Sequence, residues 1–176
     1  MIKRVTICWL FLAIMFLPVL AQIQEPITFK TELNKVSENE AEIIFKASIE
    51  KGWHLYSTEL GDGGPISATF NVDNISGAEV IGKLIPKGDE INEMDPVFGM
   101  KVRFFEKEAA FIQKIKLNSD DFNIKGYLEY GACNNENCLP PTAVEFSFGN
   151  GDIVSSSSNE TATDSEQPKK EFTLTP

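Results

Sequence analysis

Two cysteines separated by four polar residues lie between two strand-like runs, and this segment constrains the fold more than any other. Cys133 and Cys138 enclose residues 134–137, whose asparagines and glutamate are typical of a tight turn. Residues 124–130 have the composition of a strand, and in 143–148 valine and phenylalanine alternate with small or polar side chains. The segment therefore predicts a hairpin with the two thiols facing each other across its neck, close enough for a disulfide.

A disulfide across so short a loop stabilises a fold only weakly. The chain-entropy model gives about 2 kcal/mol for a loop of this size, against about 4.7 kcal/mol for a loop of about a hundred residues. A chain of 176 residues buries an adequate core without that help. The residues therefore favour a disulfide that opens and closes, and a plain hairpin staple is the alternative. Two thiols and the single histidine fall short of the four ligands of a structural zinc site, so no metal is expected.

The N-terminus has the composition of a secretory signal peptide. Lys3 and Arg4 precede an apolar run over residues 5–17, and cleavage is expected after Ala21. The apolar run is too short to span a bilayer, which needs ~20 residues, so cleavage is expected rather than anchoring. Cys8 is removed with this segment, and the mature chain then has one cysteine pair in an oxidising compartment.

Removing residues 1–21 also removes two positive charges, so the net charge changes from −10 to −12. So acidic a chain does not bind nucleic acid by neutralising phosphates, and it does not favour an anionic membrane surface. No later run is long and apolar enough to cross a membrane. We therefore expect a soluble mature chain, with any membrane contact made through a fused or separate electron-transfer protein.

Short strands separated by turn signals fill residues 22–149, and no segment there shows helical periodicity over ten residues. This pattern predicts an all-β domain, an antiparallel β-sandwich. The predicted strands are 27–33, 41–50, 53–57, 66–72, 78–85, 97–105, 109–117, 124–130 and 143–148, with a loop over 86–96. Residues 150–176 are rich in serine and other polar residues, which predicts a disordered linker or tail.

Three segments resemble the N-terminal periplasmic domain of the thiol:disulfide interchange protein DsbD, also called the disulfide bond corrector domain. Residues 130–141, Tyr-Gly-Ala-Cys-x₄-Cys-Leu-Pro-Pro, resemble the paired active-site cysteines of that family. Residues 52–56, Gly-Trp-His-Leu-Tyr, resemble its glycine-plus-aromatic strand, and residues 95–99, Asp-Pro-Val-Phe-Gly, resemble its cap loop. The chain departs from the family in having four residues rather than five between the cysteines, and one aromatic residue rather than two in the cap loop.

The resemblance implies an immunoglobulin-like sandwich that carries reducing equivalents across the periplasm, as one component of a protein-disulfide reductase. A thioredoxin-like domain or membrane electron donor would reduce it. It would then reduce client oxidoreductases such as disulfide isomerases and cytochrome c maturation thioredoxins. By position, Cys138 matches the cysteine that forms the mixed disulfide with partners, and Cys133 matches its resolving partner. No cofactor is expected.

Further residues are candidates to line or cap the disulfide: Asp95, Val97, Phe98, His54, Tyr56 and Tyr130. Strand alternation places His54 and Tyr56 on one face, with Trp53 and Leu55 on the other. The alternative for the aromatic residues is an ordinary place in the core, and for His54 an ordinary place on the surface. Acidic neighbours at positions 129 and 136 would disfavour a thiolate, which predicts a poor nucleophile until a partner binds.

Two other functional classes are also compatible with these residues. One is a secreted β-sandwich that binds a ligand or partner through its loops, and the other is a chaperone or assembly domain that uses a strand edge. In both, the disulfide is an inert structural bond. Rapid reduction by a thioredoxin-like protein, combined with slow reduction by small thiols, would distinguish an exchange domain from either class.

Overall fold

The computed structural model describes residues 25–95 and 97–149. The predicted signal peptide and the predicted tail lie outside these ranges. The described residues form antiparallel strands and no helix, and so contain no helix able to cross a membrane. The strands are β1 (Ile27–Lys35), β2 (Glu40–Ile49), β3 (His54–Tyr56), β4 (Thr69–Ser76), β5 (Ala78–Lys87), β6 (Ile91–Asp95), β7 (Met100–Phe105), β8 (Glu108–Leu117), β9 (Asn123–Tyr130), β10 (Ala132–Cys133) and β11 (Thr142–Gly149).

The main core lies between two sheets, one ordered β1-β2-β8-β5 and the other β11-β9-β4. Strand β2 shows how the sequence produces this arrangement, because every second residue from Ala41 to Ile49 is buried and the residues between them face outward. The ring of Phe45 lies 5.6 Å from that of Phe146 and 6.1 Å from that of Phe70, which joins the two sheets. The predicted antiparallel β-sandwich is confirmed.

A third sheet, ordered β10-β3-β7-β6, carries a second and smaller cluster of buried residues. Leu55 and Phe105, which are paired across β3 and β7, belong to the main core. Their neighbours Tyr56 and Phe104 point to the opposite face and belong to the second cluster. The alternation predicted for residues 53–56 is therefore what builds the second cluster.

The structure corrects the predicted loop over residues 86–96. Strand β5 continues to Lys87, and Ile91–Asp95 forms β6, which pairs with β7. Strand β7 begins at Met100, because residues 97–99 form a turn and not the start of a strand. Strand β6 lies at the edge of its sheet and most of its residues are exposed, so its sequence lacks the regular apolar alternation that predicts a strand.

The predicted break at residues 73–77 is also wrong in part. Strand β4 continues to Ser76, and a bulge between Val72 and Asn74 absorbs the polar residues there. Only Gly77 separates β4 from β5. Its φ is 63°, and a Cβ at this position would lie 2.3 Å from the carbonyl oxygen of Asp121, so glycine is required.

We predict that Phe45→Ala lowers the free energy of unfolding by about 3–5 kcal/mol, because it removes a fully buried ring from between the two sheets. Urea denaturation followed by fluorescence measures this loss. Lys46→Ala is the matched control on the solvent side of the same strand. Its exposed ion pair with Glu32 accounts for about 0–1 kcal/mol. Equal losses for the two variants would contradict the described core.

Candidate redox site

A disulfide joins Cys133 and Cys138 at the neck of a hairpin loop, with their Cα atoms 3.9 Å apart. The side chain of Asn134 organises the loop, since its Oδ1 accepts hydrogen bonds from the N–H groups of Glu136 (2.9 Å) and Asn137 (2.7 Å). The Asn134 N–H donates to the carbonyl of Asn137 at 2.8 Å. This is the behaviour expected of asparagine in a turn. The predicted disulfide is confirmed.

The two sulfur-bearing residues differ sharply in exposure. Cys133 is only 3% exposed and belongs to the second cluster, whereas Cys138 is exposed. Thiol–disulfide exchange requires a thiolate to reach one sulfur along the line of the S–S bond. Of the two cysteines, Cys138 is therefore the one that is open to an incoming thiolate.

Apolar and aromatic side chains surround Cys133. Tyr56, Val102 and Phe104 are buried with it, and Phe98 packs against them while remaining partly exposed. A thiolate in such apolar surroundings is disfavoured. The cluster therefore favours the oxidised pair or a protonated Cys133 over a free thiolate.

A single carboxylate fixes the turn above this cluster. Asp95 is 3% exposed, and its Oδ2 accepts a hydrogen bond of 2.6 Å from the Tyr56 hydroxyl. Its Oδ1 accepts from the N–H groups of Val97 (2.8 Å) and Phe98 (3.1 Å), and its carbonyl accepts from the Gly99 N–H at 2.8 Å. Residues 97–99 are therefore tied to the strand that carries Tyr56.

The aromatic rings complete this arrangement. The rings of Phe98 and Tyr56 lie 6.1 Å apart and nearly perpendicular. Burial, and then the hydrogen bond to Asp95, raise the pKa of Tyr56 well above its usual range. The Tyr56 hydroxyl consequently keeps its proton and its role as a donor at neutral pH. Val97 lies on the outside of the turn and is 49% exposed.

His54 lies directly opposite Cys133 in the pairing of β3 with β10. Its ring stacks on Phe104, with centroids 4.2 Å apart and planes 24° apart. Its Nε2 lies 3.1 Å from Oε1 of Glu106. His54 is therefore part of the wall around the buried cysteine and not an isolated surface histidine.

The structure places Tyr130 in the main core and not in the second cluster around Cys133. Its side chain is buried in the main core, and its ring lies 4.9 Å from that of Phe29. Burial raises the pKa of Tyr130 to about 12, and the nearby charge of Glu25 adds to the effect. Tyr130 was predicted to lie near the disulfide because it is close to the cysteines in the sequence. It is the last residue of β9, and the alternation of side chains along that strand directs its ring into the main core.

Sequence reasoning did not select Val102 or Glu106 for the site. Val102 shares a strand face with Phe104, so alternation along β7 was the available signal for it. Glu106 lies just beyond the end of β7, and its contact with His54 gave no local sequence signal. Within the described part of the chain, no three His, Cys, Asp or Glu side chains are grouped so that they could hold a metal ion.

Comparison with known proteins decides the family. The family model described as "Thiol:disulfide interchange protein DsbD, N-terminal" matches residues 21–150. The chain belongs to this family. It is therefore a thiol–disulfide exchange domain with the immunoglobulin-like β-sandwich that the resemblance implied. A comparison with curated proteins found no match.

Two solved structures are similar to this DsbD-family domain. The N-terminal periplasmic domain of ScsB from Proteus mirabilis is 20% identical with a TM-score of 0.51, and the match covers 74% of this chain and 49% of that one. This chain thus spans about half of the ScsB domain, and the likeness shows the fold. The reduced N-terminal domain of DsbD from Neisseria meningitidis is 21% identical with a TM-score of 0.38, covering 69% of this chain and 84% of that one.

We predict that Asp95→Ala exposes the disulfide of this DsbD-family domain to small thiols. The change removes the three hydrogen bonds that the carboxylate makes with Tyr56 and the turn. Each 1.4 kcal/mol of lost turn stability increases about tenfold the fraction of molecules in which the 97–99 turn has moved away from the second cluster. The rate of reduction by dithiothreitol should therefore rise by at least about that factor.

Tyr56→Phe is the matched control for Asp95→Ala. It removes one of the three hydrogen bonds and keeps the ring, so a smaller increase in the dithiothreitol rate is expected. An Asp95→Ala domain that reacts with dithiothreitol at the wild-type rate would show that the turn does not shield the disulfide.

We predict that the free energy of unfolding decreases as the pH rises from about 10 towards 12. The pKa of Tyr130 is raised to about 12 in the folded domain. Its contribution to the free energy of unfolding is therefore complete below the unfolded pKa of about 10 and is lost as the pH rises from there through the folded pKa. The slope from this one group is at most about 1.4 kcal/mol per pH unit. Urea denaturation at several pH values measures the slope, and Tyr130→Phe should reduce it.

Proposed function

We propose that this domain passes reducing equivalents between proteins by reversible opening of the Cys133–Cys138 disulfide. The observation that carries the proposal is the difference between the two cysteines at the neck of the hairpin loop, Cys138 being exposed and Cys133 buried in the second cluster. A structural staple needs no such difference. An exchange domain needs one sulfur that partners can reach and one that only its neighbour can reach.

The reaction that loads the domain begins when a donor thiolate attacks the sulfur of Cys138. The S–S bond breaks, and its electron pair passes to Cys133. The donor's second thiolate then attacks the donor sulfur in the mixed disulfide, which releases Cys138 as a thiolate and leaves the donor oxidised. Two electrons have moved to the domain, which now holds two thiols.

The reaction that unloads the domain uses the same atoms in the opposite direction. The thiolate of Cys138 attacks a disulfide in a client protein and forms a mixed disulfide, while one client cysteine leaves as a thiolate. Cys133 then attacks Cys138, restores the internal disulfide and releases the client's second thiolate. Cys138 is thus the residue that contacts partners, and Cys133 is the resolving residue.

The proposed partners are thioredoxin-like proteins. A thioredoxin-like or membrane electron donor supplies the electrons, and client oxidoreductases such as disulfide isomerases or cytochrome c maturation thioredoxins receive them. Membership of the DsbD N-terminal family supports this choice. The same family likeness supports a periplasmic location, with residues 1–21 as a cleaved signal peptide, residues 22–149 as the domain and residues 150–176 as a linker or tail.

In this proposal the 97–99 turn is a cap over the buried cysteine. Phe98 supplies the covering ring, Asp95 and Tyr56 fix its position, and Val97 presents an apolar side chain to an approaching partner. The hydrogen bonds of Asp95 and the packing of Phe98 against the cluster support these roles.

The deciding experiment is stopped-flow reduction of the oxidised mature chain by a reduced thioredoxin-like domain. Single variants Cys133→Ala and Cys138→Ala test the division of roles. We expect fast reduction of the wild-type protein by the reduced donor. Trapping uses a partner whose second cysteine is replaced and whose remaining cysteine is held as a mixed disulfide with thionitrobenzoate. The Cys138 thiolate of Cys133→Ala attacks that disulfide, thionitrobenzoate leaves, and the mixed disulfide with the partner persists because neither protein has a second cysteine to resolve it. Cys138→Ala should trap little, because its remaining cysteine is buried.

Two results would overturn the proposal. If the disulfide yields only after denaturation, it is a staple, and a ligand-binding or chaperone role becomes the better explanation. If Cys138→Ala is the variant that traps the partner, the roles of the two cysteines are reversed.

A further inference from the structure

The single histidine of the chain is the strand-pairing partner of Cys133, the cysteine whose sulfur leaves in the proposed reaction. His54 and Cys133 are directly opposite each other in the β3–β10 pair, so their side chains project from the same face of the sheet. Both pack against the same aromatic neighbour, because the His54 ring stacks on Phe104 and Phe104 shares a cluster with Cys133.

The leaving sulfur faces a chemical difficulty in this position. When a thiolate attacks Cys138, the electron pair of the S–S bond goes to Cys133, which is buried among apolar side chains. A negative charge that forms there is poorly solvated. A proton delivered as the bond breaks would remove the charge, and imidazole is the side chain that exchanges protons most readily between about pH 5 and 8.

We propose that His54 donates a proton to the sulfur of Cys133 as the disulfide opens, and takes it back as the disulfide closes. This inference rests on the proposed exchange function. In the opening direction, imidazolium becomes neutral imidazole and Cys133 becomes a thiol. In the closing direction, neutral imidazole accepts the Cys133 proton, and the resulting thiolate attacks Cys138. Atoms, protons and electrons balance in both directions.

Contacts around the ring fit this role. Glu106 binds Nε2, and Nδ1 makes no hydrogen bond within the described ranges. One ring nitrogen is thus fixed by a carboxylate, as is common where an imidazole transfers protons from its other nitrogen. The titratable groups that face His54 are Glu106 beyond the end of β7, Cys133 on β10 and Tyr56 on its own strand.

The test measures rates of exchange for the mature wild-type chain and His54→Gln with one thioredoxin-like donor, across about pH 5.5 to 8.5. Dividing the wild-type rate constant by the variant's at each pH cancels the titration of the donor. Because only imidazolium donates the proton, we expect a ratio of about ten at the acidic end of this range and a smaller ratio as the pH rises.

The reverse reaction supplies a second and independent readout. A residue that only transfers a proton accelerates both directions equally and leaves the equilibrium unchanged. In the reverse reaction, the reduced domain passes electrons back to the oxidised donor. The wild-type rate constant divided by that of His54→Gln should have the same value there as in the forward reaction at each pH. The reduction potentials of the wild-type domain and of His54→Gln should therefore agree. A variant that changes the potential must have unequal ratios in the two directions, and that result would overturn the inference in favour of a structural role.

His54→Phe separates proton transfer from stacking, because phenylalanine can still stack on Phe104 but has no proton to give. We expect it to lose the same factor as His54→Gln, and urea denaturation of the oxidised proteins checks that both variants fold. Wild-type rates in His54→Phe, or a rate ratio that does not vary with pH, would overturn the inference. If the donor fails to reduce even the wild-type protein, the proposed function falls, and this inference falls with it.

Discussion

Strands β3 and β7 bury apolar side chains on both faces, and each face needs its own cover. Leu55 and Phe105 are covered by the main core of the sandwich. Tyr56 and Phe104 point the other way, and none of the three sheets within residues 25–95 and 97–149 contributes a buried face there apart from their own. The disulfide hairpin and the 97–99 turn close over that face. The partial exposure of the cysteine pair follows from this arrangement, since the hairpin is itself part of the cover and its tip faces water.

Asp95 shows how few polar contacts are needed to define the site. A buried carboxylate is unfavourable unless it is hydrogen-bonded, and this one accepts bonds from Tyr56 and from two backbone N–H groups of the turn. The same three bonds join β6, β3 and the turn at one point. The position of Phe98 against the cluster therefore depends on a residue that is neither aromatic nor redox-active.

The sequence could predict those parts of the structure that depend on local pattern. The alternation in β2, the opposite directions of Leu55 and Tyr56, and the hairpin around the cysteines all follow from period-two spacing and turn residues. Strand β6 could not be predicted in this way, because its polar residues are explained only by its position at a sheet edge. The pairing of His54 with Cys133 depends on register between segments almost eighty residues apart, which no local pattern contains.

The hairpin that carries the cysteines is secured independently of the bond between them. Strands β9 and β11 are paired from Asn123 opposite Gly149 to Tyr130 opposite Thr142, and the disulfide closes only the short loop beyond β10. Opening that loop removes only about 2 kcal/mol of chain constraint, and the paired residues of β9 and β11 do not depend on the bond. If the pair cycles as proposed, the protein changes redox state as a folded molecule, because strands β9 and β11 hold the hairpin in either state.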